Sequence, residues 1–279
     1  MREIVRNCDI FDNLFGLSCV ENLLLYILKA NCISYQALYY DSFITISDIE
    51  AAFIDKNESY SSFEELVRVQ DIALAEGIIK IHQFDGNTLP EIDNSTYCCA
   101  MVSPEFVADK LKSKLWRKDH YILLSPADNG DVYYINDSPR HIGLMTIEEL
   151  FKYYSGRAIG IEIAKSSAYI DIESYVRKLS NRIHLDDETY EIRCKDLLSL
   201  RDIVGILRIS RKRIHALLSL QYNVDFMESY LRFIDKSYSI LEYMRLRNQY
   251  DIHKIFELKE QIKTNDDQTI SDIITYVKI

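Results

Sequence analysis

The sequence predicts an α+β protein with a mixed N-terminal domain, residues 1–165, and a C-terminal all-helical domain, residues 166–279. Two β-rich runs, residues 120–125 and 131–136, flank a five-residue linker containing Asn-Gly, a pattern typical of an antiparallel hairpin. After the domain boundary nearly every segment has helical periodicity. The charge balance also changes at this boundary. The first domain holds 15 Lys+Arg and 25 Asp+Glu, whereas the second holds 18 of each, so the whole negative excess lies in the first domain.

The remaining elements of the first domain follow from periodicity and capping signals. Apolar residues at helical spacing predict a first helix that begins at Ser18 or Cys19. A capping-box pattern predicts a short helix that begins at Thr146. Further helices are predicted over residues 47–55, 62–76 and 104–115. Further strands are predicted over residues 78–83, 97–103 and 158–163.

The second domain is predicted to contain only helices. Its periodic segments cover residues 171–184, 186–205, 207–221, 223–249, 251–263 and 268–277.

Composition excludes several classes of function. A formal net charge of −10 and a pI near 5.2 argue against nucleic-acid binding. No apolar run approaches 18 residues and no secretory signal pattern occurs, so we expect a cytoplasmic protein without membrane attachment. The six cysteines form no C-x-x-C pair, the histidines show no ligand spacing, and no glycine-rich phosphate loop is present. We therefore expect neither a bound metal nor a nucleotide.

Three residues occur in the order that cysteine-dependent acyl transfer needs. Cys19 lies at the predicted start of a helix, where free N–H groups and the helix dipole favour a thiolate. His120 opens one strand of the hairpin and Asp137 closes the other, so both belong at one end of it. His120 is the candidate base and Asp137 the group that orients it. Asn13, six residues before Cys19, is the candidate oxyanion donor.

Each of these residues also has a plainer interpretation. A single Cys in an amphipathic helix is usually a small core residue, and Asp before Ser-Pro usually forms a turn. His141 is the alternative base. A cluster of tyrosines around the hairpin either lines a pocket or fills a half-buried sheet face. The cluster contains Tyr121, Tyr133, Tyr134, Tyr153 and Tyr154.

Three segments carry a resemblance to known enzymes. They are Asn13-Leu-Phe-Gly-Leu-Ser-Cys-Val-Glu-Asn-Leu-Leu-Leu-Tyr-Ile27, Asp119-His-Tyr-Ile-Leu-Leu124 and Val132-Tyr-Tyr-Ile-Asn-Asp-Ser-Pro139. Together they resemble the blocks of papain-fold cysteine enzymes, and more closely those of the butirosin biosynthesis protein H N-terminal-like family. The resemblance covers residues 1–165, and it extends only loosely into the helical region around residues 226–235.

The resemblance implies a papain-like catalytic domain with Cys19 as nucleophile, His120 as base and Asp137 as orienter. Asn13 falls where papain-like enzymes place the oxyanion-hole Gln. The sequence departs from the pattern at Asn13, which is one methylene shorter than Gln. It departs again at Ser18, where butirosin-type members often have His.

The activity implied by the resemblance is amide-forming acyl transfer in natural-product (antibiotic) biosynthesis. An acyl or peptidyl group would move from a carrier-protein thioester through a Cys19 acyl-enzyme to a small amine. Relatives form amides on carrier-protein thioesters in this way, as in closthioamide assembly. No cofactor is expected in the enzyme itself, because the phosphopantetheine arm of the carrier protein presents the substrate.

Clustered basic residues are candidates for docking an acidic carrier protein, although such residues are often simply solvated. They are Lys112, Lys114, Arg117, Lys118, Arg211 and Arg213. Two other functions stay open. One is a cysteine peptidase or thioesterase that hydrolyses the same acyl-enzyme. The other is a catalytically inactive papain-fold protein that binds a carrier or peptide.

Overall fold

The chain forms two compact units. A computed structural model describes residues 6–52, 69–86, 89, 96–112, 118–127, 130–164, 171–186, 190–194, 196–248 and 250–277. One unit combines Met1–Tyr35 with Val69–Tyr169, and the other combines Gln36–Arg68 with Ile170–Ile279. The first contains a six-stranded sheet and the C-terminal region is helical, so the predicted α+β class is confirmed at this level.

The strands of the first unit are β1 Ile79–Asp85, β2 Tyr97–Val102, β3 His120–Pro126, β4 Val132–Asp137, β5 Arg140–Met145 and β6 Tyr154–Ile163. They form an antiparallel sheet in the order β1–β6–β2–β3–β4–β5. The predicted hairpin is confirmed as β3 and β4, whose pairing runs from Leu123 with Ile135 to Pro126 with Val132.

One strand was not predicted. β5 lies at the edge of the sheet, and most of its side chains are exposed or half-buried. It therefore lacks the apolar alternation by which a half-buried strand is recognised. β6 begins at Tyr154, four residues before the predicted start at residue 158. The early part was missed because Ser155, Gly156 and Arg157 give it no apolar pattern.

Helices complete both units within the described residues. They are α1 Cys19–Ala30, α2 Ile46–Glu50, α3 Val69–Ala75, α4 Pro104–Lys110, α5 Ile147–Tyr153, α6 Ile172–Ser180, α7 Leu197–Leu218, α8 Asp225–Arg247 and α9 Ile252–Val277. Short 3-10 helices cover Cys8–Phe11 and Tyr35–Asp41. The predicted starts of α1 and of the helix at Thr146 are confirmed, since Ser18 and Thr146 are their N-caps.

The segment that follows α1 belongs to the second unit, whereas the sequence placed it in the first domain. Ile44, Ile46 and Ile49 are buried in one apolar core with Leu200 of α7 and Ile234 of α8. These residues belong to the second unit because they are buried against residues more than a hundred positions later in the chain. Local periodicity carries no information about such distant contacts. Of the predicted helices 47–55 and 62–76, the parts over residues 53–55 and 62–68 lie outside the described residues.

Two predicted helix breaks in the second unit are wrong. α7 runs through Gly205 and α9 runs through the polar stretch at residues 264–267. Asp266 in this stretch is buried, and its two carboxylate oxygens accept hydrogen bonds from Nε and Nη2 of Arg211, both at 2.8 Å. The stretch thus continues the helix, and its Asp266 joins α9 to α7 through a buried ion pair with Arg211.

The same burial corrects two of the predicted carrier-docking residues. Arg211 and Arg213 are both 0% exposed. Arg213 donates to Oγ of Ser42 at 3.3 Å, and its guanidinium lies 5.2 Å from the ring centre of Tyr39. Neither side chain can meet a partner protein, so their assignment to docking was wrong. Lys112 and Lys118 are exposed, while Lys114 and Arg117 lie outside the described residues.

In the part of the chain that is described, no helix has both the length and the apolar character needed to cross a bilayer.

Candidate active site

The first helix presents Cys19 at its first turn because Ser18 caps it. The Ser18 hydroxyl accepts from the N–H of Glu21 at 3.2 Å, and the Ser18 carbonyl accepts from the N–H of Asn22 at 2.9 Å. The N–H groups of Cys19 and Val20 have no acceptor among the described residues. The half-buried Cys19 thiol therefore stands beside free backbone donors at the positive end of a helix dipole.

The hairpin brings His120 and Asp137 together. His120 is the first residue of β3 and Asp137 is the last residue of β4. Nε2 of His120 lies 3.2 Å from Oδ1 of Asp137, and the two side chains are 1% and 5% exposed. His120 also has a side-chain hydrogen bond with Cys19. The three residues picked out by their order in the sequence thus meet in one place.

The charge state of His120 follows from these contacts. Burial lowers the pKa of His120. The hydrogen bonds to Asp137 and Cys19, together with their negative charges, outweigh burial and raise the pKa to about 9. The imidazolium form is therefore favoured at neutral pH, between a carboxylate and the sulfur of Cys19.

Asn22 is a further member of the site that the sequence did not single out. Its Nδ2 donates to Oδ2 of Asp137 at 3.0 Å, the oxygen that does not face His120. Asn22 lies three residues after Cys19 on α1, so both occupy the same side of the helix. A carboxamide three residues after Cys19, on the same side of the helix, was the available signal.

The loop before α1 is shaped around Asn22. The N–H of Gly16 donates to Oδ1 of Asn22 at 3.1 Å, which fixes the orientation of the Asn22 amide. A Cβ on Gly16 would lie 2.3 Å from that oxygen, so only glycine fits here. The buried Glu21 carboxylate accepts from the N–H of Leu17 at 2.6 Å and from that of Val69 at 3.0 Å, which ties the loop to α3.

Asn13 is not joined to these residues. It is exposed, it has a φ of 61°, and no described contact links its side chain to Cys19 or His120. The preceding Asp12 forms an ion pair with Arg140 of β5. The oxyanion role of Asn13 stays a prediction, and the free N–H of Cys19 is the donor that lies at the sulfur.

The alternative base and the other thiols lie elsewhere. His141 is exposed on β5, and its ring centre is 5.6 Å from that of Tyr134. Three cysteines are fully buried, and burial raises the pKa of each thiol; these are Cys98, Cys99 and Cys194. Cys32 is exposed, which makes it a useful reference thiol for Cys19.

The tyrosine cluster serves two purposes. Tyr134 and Tyr153 are buried in the core on one sheet face, where both pack edge-on against Phe106. The sheet-filling interpretation therefore applies to these two. Tyr121, directly after His120 in β3, is only half-buried, so the sheet-filling interpretation does not account for it.

Among the described residues, no group of three or more His, Cys, Asp or Glu side chains is placed to hold a metal ion.

Comparison with known proteins adds no assignment. No protein-family model matches this chain, and no curated protein has a significant sequence match to it. The geometry of the site and the three sequence segments are therefore the features of this chain that point to a function.

Proposed function

We propose that the first unit is a papain-like cysteine acyltransferase that forms amide bonds in natural-product biosynthesis. One observation carries the proposal: Cys19, at the start of a helix, contacts the buried His120, which lies 3.2 Å from the buried Asp137. The helix–strand–strand origin of these residues is the arrangement that papain-like enzymes use. The three sequence segments that carry the family resemblance supply these same residues.

The first half-reaction loads the enzyme. The Cys19 sulfur, whose proton is held by His120, attacks the carbonyl carbon of a thioester. The carbon–sulfur bond to the substrate thiol breaks, and this thiol leaves with the proton from His120. Because Nε2 of His120 faces Asp137, Nδ1 is the nitrogen that exchanges these protons. One thioester replaces another, so the step is close to balanced in free energy.

The second half-reaction forms the amide. A primary amine attacks the Cys19 thioester, and the C–N bond forms as the C–S bond breaks. His120 takes the proton that the amine loses and returns it to the Cys19 sulfur. Developing charge on the carbonyl oxygen is stabilised by the free N–H of Cys19, with Asn13 as the proposed side-chain donor.

The proposed partners follow from this chemistry. The donor is an acyl or peptidyl carrier protein whose phosphopantetheine arm delivers the thioester, and the acceptor is a small amine. Lys112 and Lys118, exposed between α4 and β3, are the described cations of the proposed docking surface. Exposed cations near the entrance would steer an acidic carrier protein towards the site.

The identity of the product tests the proposal. The protein is mixed with the octanoyl thioester of N-acetylcysteamine, with and without butylamine, and octanoyl amide and octanoic acid are quantified by mass spectrometry. We expect the amide when the amine is present, little acid in its absence, and loss of both products in Cys19→Ala. Cys32→Ala, which removes an exposed thiol, is the matched control.

Two results would contradict the proposal. Free acid formed at the same rate with or without amine would assign the site to hydrolysis, as in a peptidase or thioesterase. No Cys19-dependent product at all would favour an inactive papain-fold protein that only binds.

A further inference from the structure

One face of the sheet changes from covered to open beside Cys19. Leu123 of β3 and Cys99 of β2 pair across the strands and are both 0% exposed. The next residues on the same face, Tyr121 and Met101, also pair with each other but are only half-buried. α1 contacts both strands. Because α1 begins at Cys19, the part of this sheet face beyond Cys19 is not covered by the helix.

The open part of this face continues onto the neighbouring strand. Cys99 lies opposite Ile159 of β6, and the pairing of β2 with β6 becomes irregular between Ala100 and Val102. Arg157 lies two residues before Ile159 in the regular pairing of β6 with β1, so alternation places it on the same face as Ile159 and Cys99. Arg157 is exposed. It lies opposite Asp85 of β1, yet no ion pair joins Arg157 to a described carboxylate. Tyr121 and Met101 pair with each other, and Arg157 lies on the same face of the next strand, beside the irregular pairing. We call these three residues the open row.

Charge effects on Tyr121 indicate that the open row begins at the nucleophile. Burial raises the pKa of Tyr121 and the charge of Arg157 lowers it, while the charges of Cys19, Cys99 and Asp85 raise it further. Arg157 and Cys19 are thus both near enough to act on this one hydroxyl. Tyr121 lies between the nucleophile on one side and, on the other, the guanidinium of Arg157 with Asp85 across the strands from it.

We propose that the open row is the acyl-binding subsite, and that it selects acyl groups carrying an anion, such as a carboxylate, at their far end. The inference rests on the acyl-transfer function proposed above. The ring of Tyr121 and the thioether of Met101 supply an apolar floor for the body of the acyl chain. Arg157 supplies paired N–H donors that match a carboxylate.

Two anions could in principle meet Arg157: a carboxylate at the end of the acyl group, or the phosphate of the carrier arm. The distance across the sheet favours the carboxylate. Adjacent strands lie about 4.8 Å apart, and β3 and β6 are two strands apart, so Tyr121 and Arg157 are separated by about 10 Å across the sheet. Cys19 acts on Tyr121 at the start of this path, and a saturated acyl chain of about eight carbons has about the same length. The pantetheine arm leaves from the sulfur and places two amide units before its phosphate, so its anion lies farther from the reacting carbon.

A matched pair of thioesters tests the subsite. The suberoyl and octanoyl thioesters of N-acetylcysteamine have the same chain length and differ by a terminal carboxylate, and neither contains phosphate. The rate at which each acylates Cys19 is measured by intact-mass spectrometry, and the ratio of the two rates is the readout. We expect the native protein to prefer suberoyl about tenfold, since one charge-assisted pair is worth roughly a factor of ten.

Variants separate the subsite from general damage. In Arg157→Gln we expect the preference to fall to about one, whereas a folding defect would lower both rates and leave their ratio unchanged. Lys80→Gln, which removes an exposed cation from the opposite face of the sheet, should keep the native ratio. Equal rates in the native protein, or an unchanged ratio in Arg157→Gln, would overturn the subsite but leave acyl transfer standing. No adduct on Cys19 from either thioester would overturn both.

Discussion

At the scale of single residues, the site depends on a histidine held in its charged form. A buried imidazole alone would lose its proton, because burial penalises charge. Asp137 and Cys19 reverse this for His120 and raise its pKa to about 9. A thiolate is then stabilised by an adjacent cation, and the free N–H groups at the start of α1 add to the effect.

This charge state predicts the pH dependence of Cys19 alkylation. Below about pH 9 the His120 imidazolium stabilises the thiolate, so at pH 6.5 iodoacetamide should modify Cys19 at least about tenfold faster than the exposed Cys32. The rate advantage of Cys19 over Cys32 should narrow as pH rises through about 9, because His120 then loses the proton that makes it a cation beside Cys19. Peptide mapping separates the two thiols, since trypsin cuts between them at Lys29.

His120→Gln is the matching variant. It should remove most of the advantage of Cys19 at pH 6.5 while the rate at Cys32 stays the same. Equal rates at Cys19 and Cys32 in the native protein at this pH would mean that His120 does not activate the thiol.

At the scale of elements, the site is a junction between α1 and the β3–β4 hairpin. His120 and Asp137 come from the hairpin and Cys19 comes from the helix, and Asn22 joins the two through its 3.0 Å hydrogen bond to Asp137. The N–H of Gly16 holds the other end of the Asn22 amide. Asn22 therefore acts through Asp137 as a positioning residue.

Asn22→Ala should lower kcat of acyl transfer by about tenfold to a hundredfold with little change in KM, because a misplaced base slows chemistry more than binding. It should also slow iodoacetamide modification of Cys19. Stability should fall by about 1–3 kcal/mol, since one oxygen of Asp137 and the N–H of Gly16 lose their partner.

Asn31→Ala, at the C-cap of the same helix, is the control for stability. Nδ2 of Asn31 donates to the carbonyl of Ile27 and to Oη of Tyr97, far from Cys19 along α1. This variant should lose similar stability in urea denaturation but keep native kcat. A native kcat in Asn22→Ala would contradict the positioning role.

Parts of this junction were predictable from sequence, for physical reasons. The hairpin is encoded locally by two apolar runs and a turn, and the start of α1 by a capping serine. Asn22 and β5 were missed because their roles depend on partners brought together by folding. The neighbour of Asn22 is Asp137, more than a hundred residues away in the chain, and β5 is an edge strand without apolar alternation.

At the scale of the whole molecule, the chain crosses between units more often than its composition indicates. Residues 36–52 enter the core of the helical unit, although the charge pattern places them with the acidic first domain. Arg211 was likewise predicted to lie on the surface, and a helix break was predicted around Asp266. The two side chains instead form a buried ion pair. In both cases burial is decided by long-range packing, which a residue's type alone does not reveal.

If Cys19 carries the acyl group, the mass of the intact protein reveals it. After brief mixing with the octanoyl thioester of N-acetylcysteamine and no amine, the native protein and Cys32→Ala should each gain one octanoyl group, mapped to Cys19. Addition of butylamine should release it as the amide. Cys19→Ala should gain nothing. A Cys19→Ala protein that still becomes acylated, or that forms amide at the native rate, would contradict the account.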